Sequence, residues 1–124
     1  MVVRILYVED NEDNIYMLST RLRRKGYEVI VATDGEQGVA RALSDTPALI
    51  LMDLSLPKLD GLAATRRIRE QNGAARVPIV AVSAHDTTDF HADALAAGCD
   101  EYVTKPIDFD QLEELLTRLL GNSR

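Results

Sequence analysis

LILMDLSLPKLDG (residues 49–61) decides the fold. Four apolar residues, Leu49, Ile50, Leu51 and Met52, run without a break and end on a carboxylate, Asp53. A short apolar run with no polar alternation reads as a strand buried on both faces, the kind found in parallel sheets covered by helices. A serine, a proline and a turn-forming Asp60-Gly61 pair follow at once. The most hydrophobic strand in the chain therefore stops on a bare negative charge, and that placement needs a reason.

Outward from this stretch the same grammar repeats. β-Rich runs stand at 3–8 (VRILYV), 28–32 (EVIVA), 48–52 (ALILM), 77–82 (VPIVAV) and 100–104 (DEYVT). Helical patterns fill 12–25, 36–45, 61–71, 87–97 and 109–120. In the last, Leu112, Leu115, Leu116, Leu119 and Leu120 keep the i, i+3, i+4, i+7, i+8 spacing of one buried stripe. Asp108 and Gln111 make a capping-box-like start for it. Gly26, Gly73, Gly98 and Gly121 punctuate helix ends. The alternation predicts one α/β domain over residues 1–124, a (βα)5 doubly wound parallel sheet of five strands in the order 2-1-3-4-5. No linker or internal repeat interrupts it.

Composition narrows the function. The 124 residues carry a net charge of -6, which disfavours sequence-independent binding to nucleic acid or anionic membrane. Basic residues cluster at Arg21, Arg23, Arg24, Lys25 and at Arg66, Arg67, Arg69, and read as solvated helix faces. The single cysteine, Cys99, cannot form an internal disulfide and reads as a packed residue. No signal peptide or membrane-length apolar run is present, so a cytoplasmic location is expected.

In doubly wound sheets, ligands gather outside the carboxyl ends of the strands. The first strand ends on Glu9-Asp10, the third on Asp53, the fourth on Ser83-Ala84 and the fifth on Thr104-Lys105-Pro106. Three acids, one hydroxyl and one lysine thus converge on one crevice. Two unit charges about 4 Å apart repel by roughly 4 kcal/mol at an effective dielectric near 20, so one lysine cannot balance three carboxylates. A divalent cation with a taste for oxygen, Mg²⁺, completes the balance. His85 and His91 lie off the strand ends and have no soft co-ligand, which argues against zinc. Mg²⁺, a lysine and a hydroxyl together suit a phosphoryl group, and Asp53 at the centre suits a covalent aspartyl phosphate.

The ordered motifs ILYVEDN, LILMDLSLPKLDG, IVAVSA and YVTKPI closely resemble response-regulator receiver domains, the CheY-like modules of two-component signalling. The resemblance runs from residue 3 to about 120. It implies that Asp53 is the phosphoacceptor, charged by a histidine kinase or a histidine phosphotransfer protein. It implies Mg²⁺ bound by Asp10 and Asp53 directly, by Glu9 through a water, and by the Ser55 backbone carbonyl. Ser83 and the Ala84 amide are then expected to hold phosphoryl oxygens, with Lys105 on a further one. Lys105-Pro106 takes the place of the family's cis peptide, and Tyr102 that of the aromatic that turns inward when Ser83 is drawn to the phosphate. Ser55 and His85 flank the path of the hydrolysing water and leave the lifetime of the acyl phosphate open.

Each feature alone has a plainer reading. Glu9-Asp10 could cap a helix, Ser83 could close a turn, Lys105 could be a solvated charge and Tyr102 could pack on an edge strand. Ile15, Tyr16, Met17 and Leu18 exceed one buried stripe, so part of this run faces solvent beside the acids, where a helical kinase partner could dock. A haloacid-dehalogenase-like phosphatase would need a second acid where Ser55 stands. A nucleotide-binding module would need glycines where EDNED stands. A degenerate receiver acting only through contacts would not need the full acid, hydroxyl and lysine set. Met1 and the short tail after the last helix favour a stand-alone regulator with no output domain over a receiver cut from a hybrid kinase. A downstream protein target is expected, with the chain a monomer or weak dimer and not a turnover enzyme.

Overall fold

Every residue of the strand Leu49–Asp53 is buried, as its unbroken apolar run requires. It is the middle strand of the sheet. The computed structural model describes residues 2–56, 58–71, 77–84 and 88–121. The elements are β1 (Arg4–Val8), α1 (Glu12–Arg24), β2 (Glu28–Ala32), α2 (Gly35–Ser44), β3 (Leu49–Asp53) and α3 (Gly61–Glu70). They continue with β4 (Ile79–Ser83), α4 (Thr88–Ala97), β5 (Glu101–Thr104) and α5 (Phe109–Leu119). All strand pairs are parallel and the order is β2-β1-β3-β4-β5, as the sequence predicts.

Alternation along the strands splits the core in two. Ile5, Tyr7, Leu49, Leu51 and Val80 pack with Leu18 and Leu22 of α1 and with Leu112, Leu115 and Leu116 of α5. Leu6, Val8, Ile50, Met52, Ile79 and Ala81 pack on the other face with Val39, Ala64, Ile68 and Ala94 from α2, α3 and α4. The alternation also fixes where the strand-end groups point. Asp53 continues the row of Leu49 and Leu51, on the face of α1 and α5. Ser83 continues the row of Ile79 and Ala81, on the face of α4.

Helix starts are set by short polar side chains. Asn11, Asp34, Asp60 and Asp108 each accept a hydrogen bond from the backbone amide three residues on. Each such cap is worth about 1 kcal/mol. Two consequences bear on the site. Asn11 caps α1, so Glu9 and Asp10 do not serve that purpose. Asp60 caps α3 and Gly61 opens it, so that pair begins a helix directly after the loop. A Cβ on Gly61 would collide with the Asp53 carbonyl, and one on Gly35 with the Leu59 carbonyl. Both ends of the loop after Asp53 are thereby held close to the sheet and to α2.

One reading changes. Arg69 is not part of a solvated face: its guanidinium donates to the carbonyls of Gly98 (2.9 Å) and Val77 (2.6 Å) and pairs with Asp100 at 2.8 Å. A planar fork of five donors can collect such scattered acceptors, which a charge count does not reveal. The anchoring of α4 is thin. Ala94 and Ala97 are its buried residues, and Leu95 is 60% exposed. Gly73 and His85 lie outside the described residues.

Candidate functional site

The register brings the acids together. Val8 pairs with Met52, and one residue beyond that pair lie Glu9 and Asp53. Glu9 is 1% and Asp53 3% exposed, whereas Asp10 is exposed at the crevice mouth. Carboxylate oxygens of Glu9, Asp10 and Asp53 all lie within 4.8 Å of one another. Past the end of β5, the Lys105 ammonium reaches in, 3.2 Å from Glu9 Oε1 and 3.4 Å from Asp53 Oδ2. The Lys105 backbone amide donates to the Ser83 carbonyl at 2.8 Å, and the Lys105-Pro106 peptide is cis.

Each buried carboxylate is further satisfied by local donors, as burial of charge demands. Asp53 Oδ1 accepts from the Ser55 amide at 3.0 Å. Glu9 Oε1 accepts from the Tyr7 hydroxyl and Oε2 from the Asn11 amide, both at 3.2 Å. Burial pushes Asp53 up to about 6, with the Glu9 charge acting the same way; the Ser55 amide and Lys105 pull against them. Burial alone would lower Lys105, but Asp53 and Glu9 outweigh it and its pKa is raised. Burial, then the Glu9 carboxylate, raises the Tyr7 phenol above its ordinary value.

Ser83 is buried on the α4 face and Ala84 is exposed just beyond β4. Tyr102 pairs in register with Ala81 on β4, and its ring stacks on His91 of α4 with centroids 3.9 Å apart. Tyr102 and Ser83 thus share one side of the sheet, while Glu9, Asp53 and Lys105 share the other side's row. Cys99 is buried, and burial raises its thiol pKa.

A cavity of about 570 Å³ opens beside Lys105, between α1 and the segment that follows β5, lined by Met17, Leu18, Arg21, Ile107 and Phe109. Tyr16 and Met17, of the apolar run in α1, are 72% and 64% exposed, and Leu18 is buried.

The sequence reading missed Tyr7. A tyrosine in an otherwise aliphatic strand, two residues before Glu9 and so on its side of the sheet, was the available signal. Asn11 was legible too, as an Asn immediately before an acidic first turn.

The donor set consists of hard oxygens with more negative charge than Lys105 offsets, which fits a small divalent cation. Residues 5–117 match the family model described as the response regulator receiver domain. The chain belongs to the response-regulator receiver domains. Such domains are the phosphoacceptors of two-component systems, meeting histidine kinases or phosphotransfer proteins on one side and effectors on the other. Among relatives, this receiver domain is 31% identical to the protein PilH of Pseudomonas aeruginosa, covering 97% of this chain and 99% of PilH. It is 35% identical to the alkaline phosphatase synthesis transcriptional regulatory protein PhoP of Bacillus subtilis, covering 97% of this chain and 49% of PhoP. The chain spans about half of PhoP and 24% of the response regulator PleD of Caulobacter vibrioides.

Among solved structures, the receiver domain of the sensor histidine kinase PA1611 from P. aeruginosa PAO1 is 40% identical with a TM-score of 0.91. The match covers 98% of this chain and 99% of that one, which has a magnesium ion coordinated in its active-site cleft. The chemotaxis protein CheY4 of Vibrio cholerae is 25% identical with a TM-score of 0.90, covering 96% and 99%. No described helix is long and apolar enough to cross a membrane.

Proposed function

We propose that this receiver domain accepts a phosphoryl group from a phosphohistidine on Asp53. The observation that carries the reading is a buried Asp53 with Lys105 at 3.4 Å and two further carboxylates within 4.8 Å. Asp10 and Asp53 would hold Mg²⁺ directly, with the Ser55 carbonyl as a further ligand and Glu9 acting through a water. Bound Mg²⁺ supplies positive charge that offsets the carboxylates and the oxygens of an incoming phosphoryl group.

The chain's own groups do the rest. A carboxylate oxygen of Asp53 attacks phosphorus; the P–N bond to the donor imidazole breaks, its electron pair returns to the ring, and a P–O bond forms. The Ser55 amide on Oδ1 holds the carboxylate still while this happens. Lys105 turns from Asp53 Oδ2 to a phosphoryl oxygen, and the Ser83 hydroxyl and Ala84 amide take others. Movement of Ser83 towards the phosphoryl group opens space for Tyr102 on the same side of the sheet. In the return step water attacks phosphorus and the P–O bond to Asp53 breaks, restoring the carboxylate. The role is that of a signalling phosphoacceptor rather than a turnover enzyme.

The exposed Tyr16 and Met17, beside the cavity next to Lys105, suit a helical surface of the phosphodonor protein. The α4–β5 side, where Tyr102 lies, suits a downstream protein target.

Acetyl phosphate with Mg²⁺, followed by intact mass measurement, tests the reading. One phosphoryl adduct is expected, absent in EDTA and absent in Asp53→Asn. An adduct that survives EDTA, or that Asp53→Asn retains, contradicts it.

A further inference from the structure

We infer that Tyr7 is a positioning residue for phosphoryl transfer, supplying the hydrogen bond that Glu9 keeps when Lys105 leaves it. The inference rests on the reading of Asp53 as phosphoacceptor. Glu9 is 1% exposed, so its charge depends on the donors around it. Oε2 has the Asn11 amide. Oε1 has two donors, the Tyr7 hydroxyl and the Lys105 ammonium, each at 3.2 Å.

That ammonium is shared, since it also stands 3.4 Å from Asp53 Oδ2. A phosphoryl group on Asp53 brings further negative charge and several strong acceptor oxygens, which draw the lysine towards them. Without a second donor, Glu9 Oε1 would then be left buried with no protein donor, a penalty falling only on the phosphorylated state. The Tyr7 hydroxyl removes that penalty. Tyr7 is itself 1% exposed and packed among Ile5, Leu18, Leu51 and Leu112, so its ring is fixed by the core. A donor held this way does not move with the lysine.

Tyr7→Phe deletes the hydroxyl and keeps the ring, so the variant folds. Beryllium fluoride with Mg²⁺ serves as the phosphoryl mimic, and affinities are read by calorimetry for Mg²⁺ alone and for the mimic. Tyr7→Phe is expected to weaken the mimic about tenfold, the size of one hydrogen bond to a charged group. Its Mg²⁺ affinity is expected to stay within about twofold, and its Tm within about 3 °C of wild type. Wild-type affinity for the mimic in Tyr7→Phe overturns the inference. An equal loss of Mg²⁺ and mimic affinity, or a large fall in Tm, also overturns it by reducing Tyr7 to a structural contact. Wild type that fails to bind the mimic sinks the phosphoacceptor reading and this inference together, whereas normal binding by both proteins sinks only the inference.

Discussion

At Asp53, burial and the neighbouring Glu9 charge act in the same direction, so the folded carboxyl sits near 6 where an ordinary one sits at 3.8. Below the lower value both folded and unfolded chains are protonated at this residue. Between the two values the folded chain holds a proton that the unfolded chain has released, so stability falls as pH rises through this window. Above about pH 6 the full penalty applies, on the order of 2–3 kcal/mol. In EDTA, urea unfolding of wild type is therefore expected to show a loss of stability from pH 4 to 6 that Asp53→Asn lacks. Parallel profiles for the two proteins would show that the charge is not strained. The sequence made this residue legible, because a buried apolar run seldom ends on an acid unless that acid has chemistry to perform. It did not make Tyr7 legible as part of the site, because a tyrosine in a strand is ordinarily core.

Among the elements, α4 is the weakly held one. Its buried residues are Ala94 and Ala97, small side chains that bury little area, whereas α5 buries Leu112, Leu115 and Leu116. Weak burial marks segments that shift at modest cost. Phosphorylation is expected to alter hydrogen exchange in α4 and β5, including Tyr102, more than in α2; changes confined to α2 would count against the Ser83–Tyr102 switch. The far end of α4 is tied down differently. Arg69 reaches from α3 to the Gly98 and Val77 carbonyls and to Asp100, which in turn accepts from the Ile79 amide at 2.8 Å. Lysine cannot reproduce that fork, so Arg69→Lys should lower the unfolding free energy by about 1–3 kcal/mol. An unchanged urea midpoint would show the contacts to be incidental. Element positions were readable because buried parallel strands and leucine stripes have distinct periods. The Arg69 tie was not, since an arginine on a surface helix and one reaching across a loop look alike in sequence.

Across the whole molecule, the strand order converts separate sequence positions into one crevice. Crossover connections place β1, β3, β4 and β5 side by side with their carboxyl ends together, so Glu9, Asp53 and Lys105 meet despite their separation along the chain. A site built with surplus negative charge should gain stability from the cation that completes it. Mg²⁺ at a hundredfold excess over its dissociation constant is expected to stabilise wild type by about 2.7 kcal/mol. Asp10 is exposed, so Asp10→Asn should melt within about 2 °C of wild type in EDTA, yet lose most of the Mg²⁺ gain. A variant that keeps the full gain would place the cation elsewhere. The most direct measurement is reductive trapping of the acyl phosphate after incubation with a phosphohistidine donor and Mg²⁺, followed by peptide mass spectrometry. The modification is expected at residue 53 alone and to vanish in EDTA; modification at Glu9, Asp10 or any other acid would contradict the assignment.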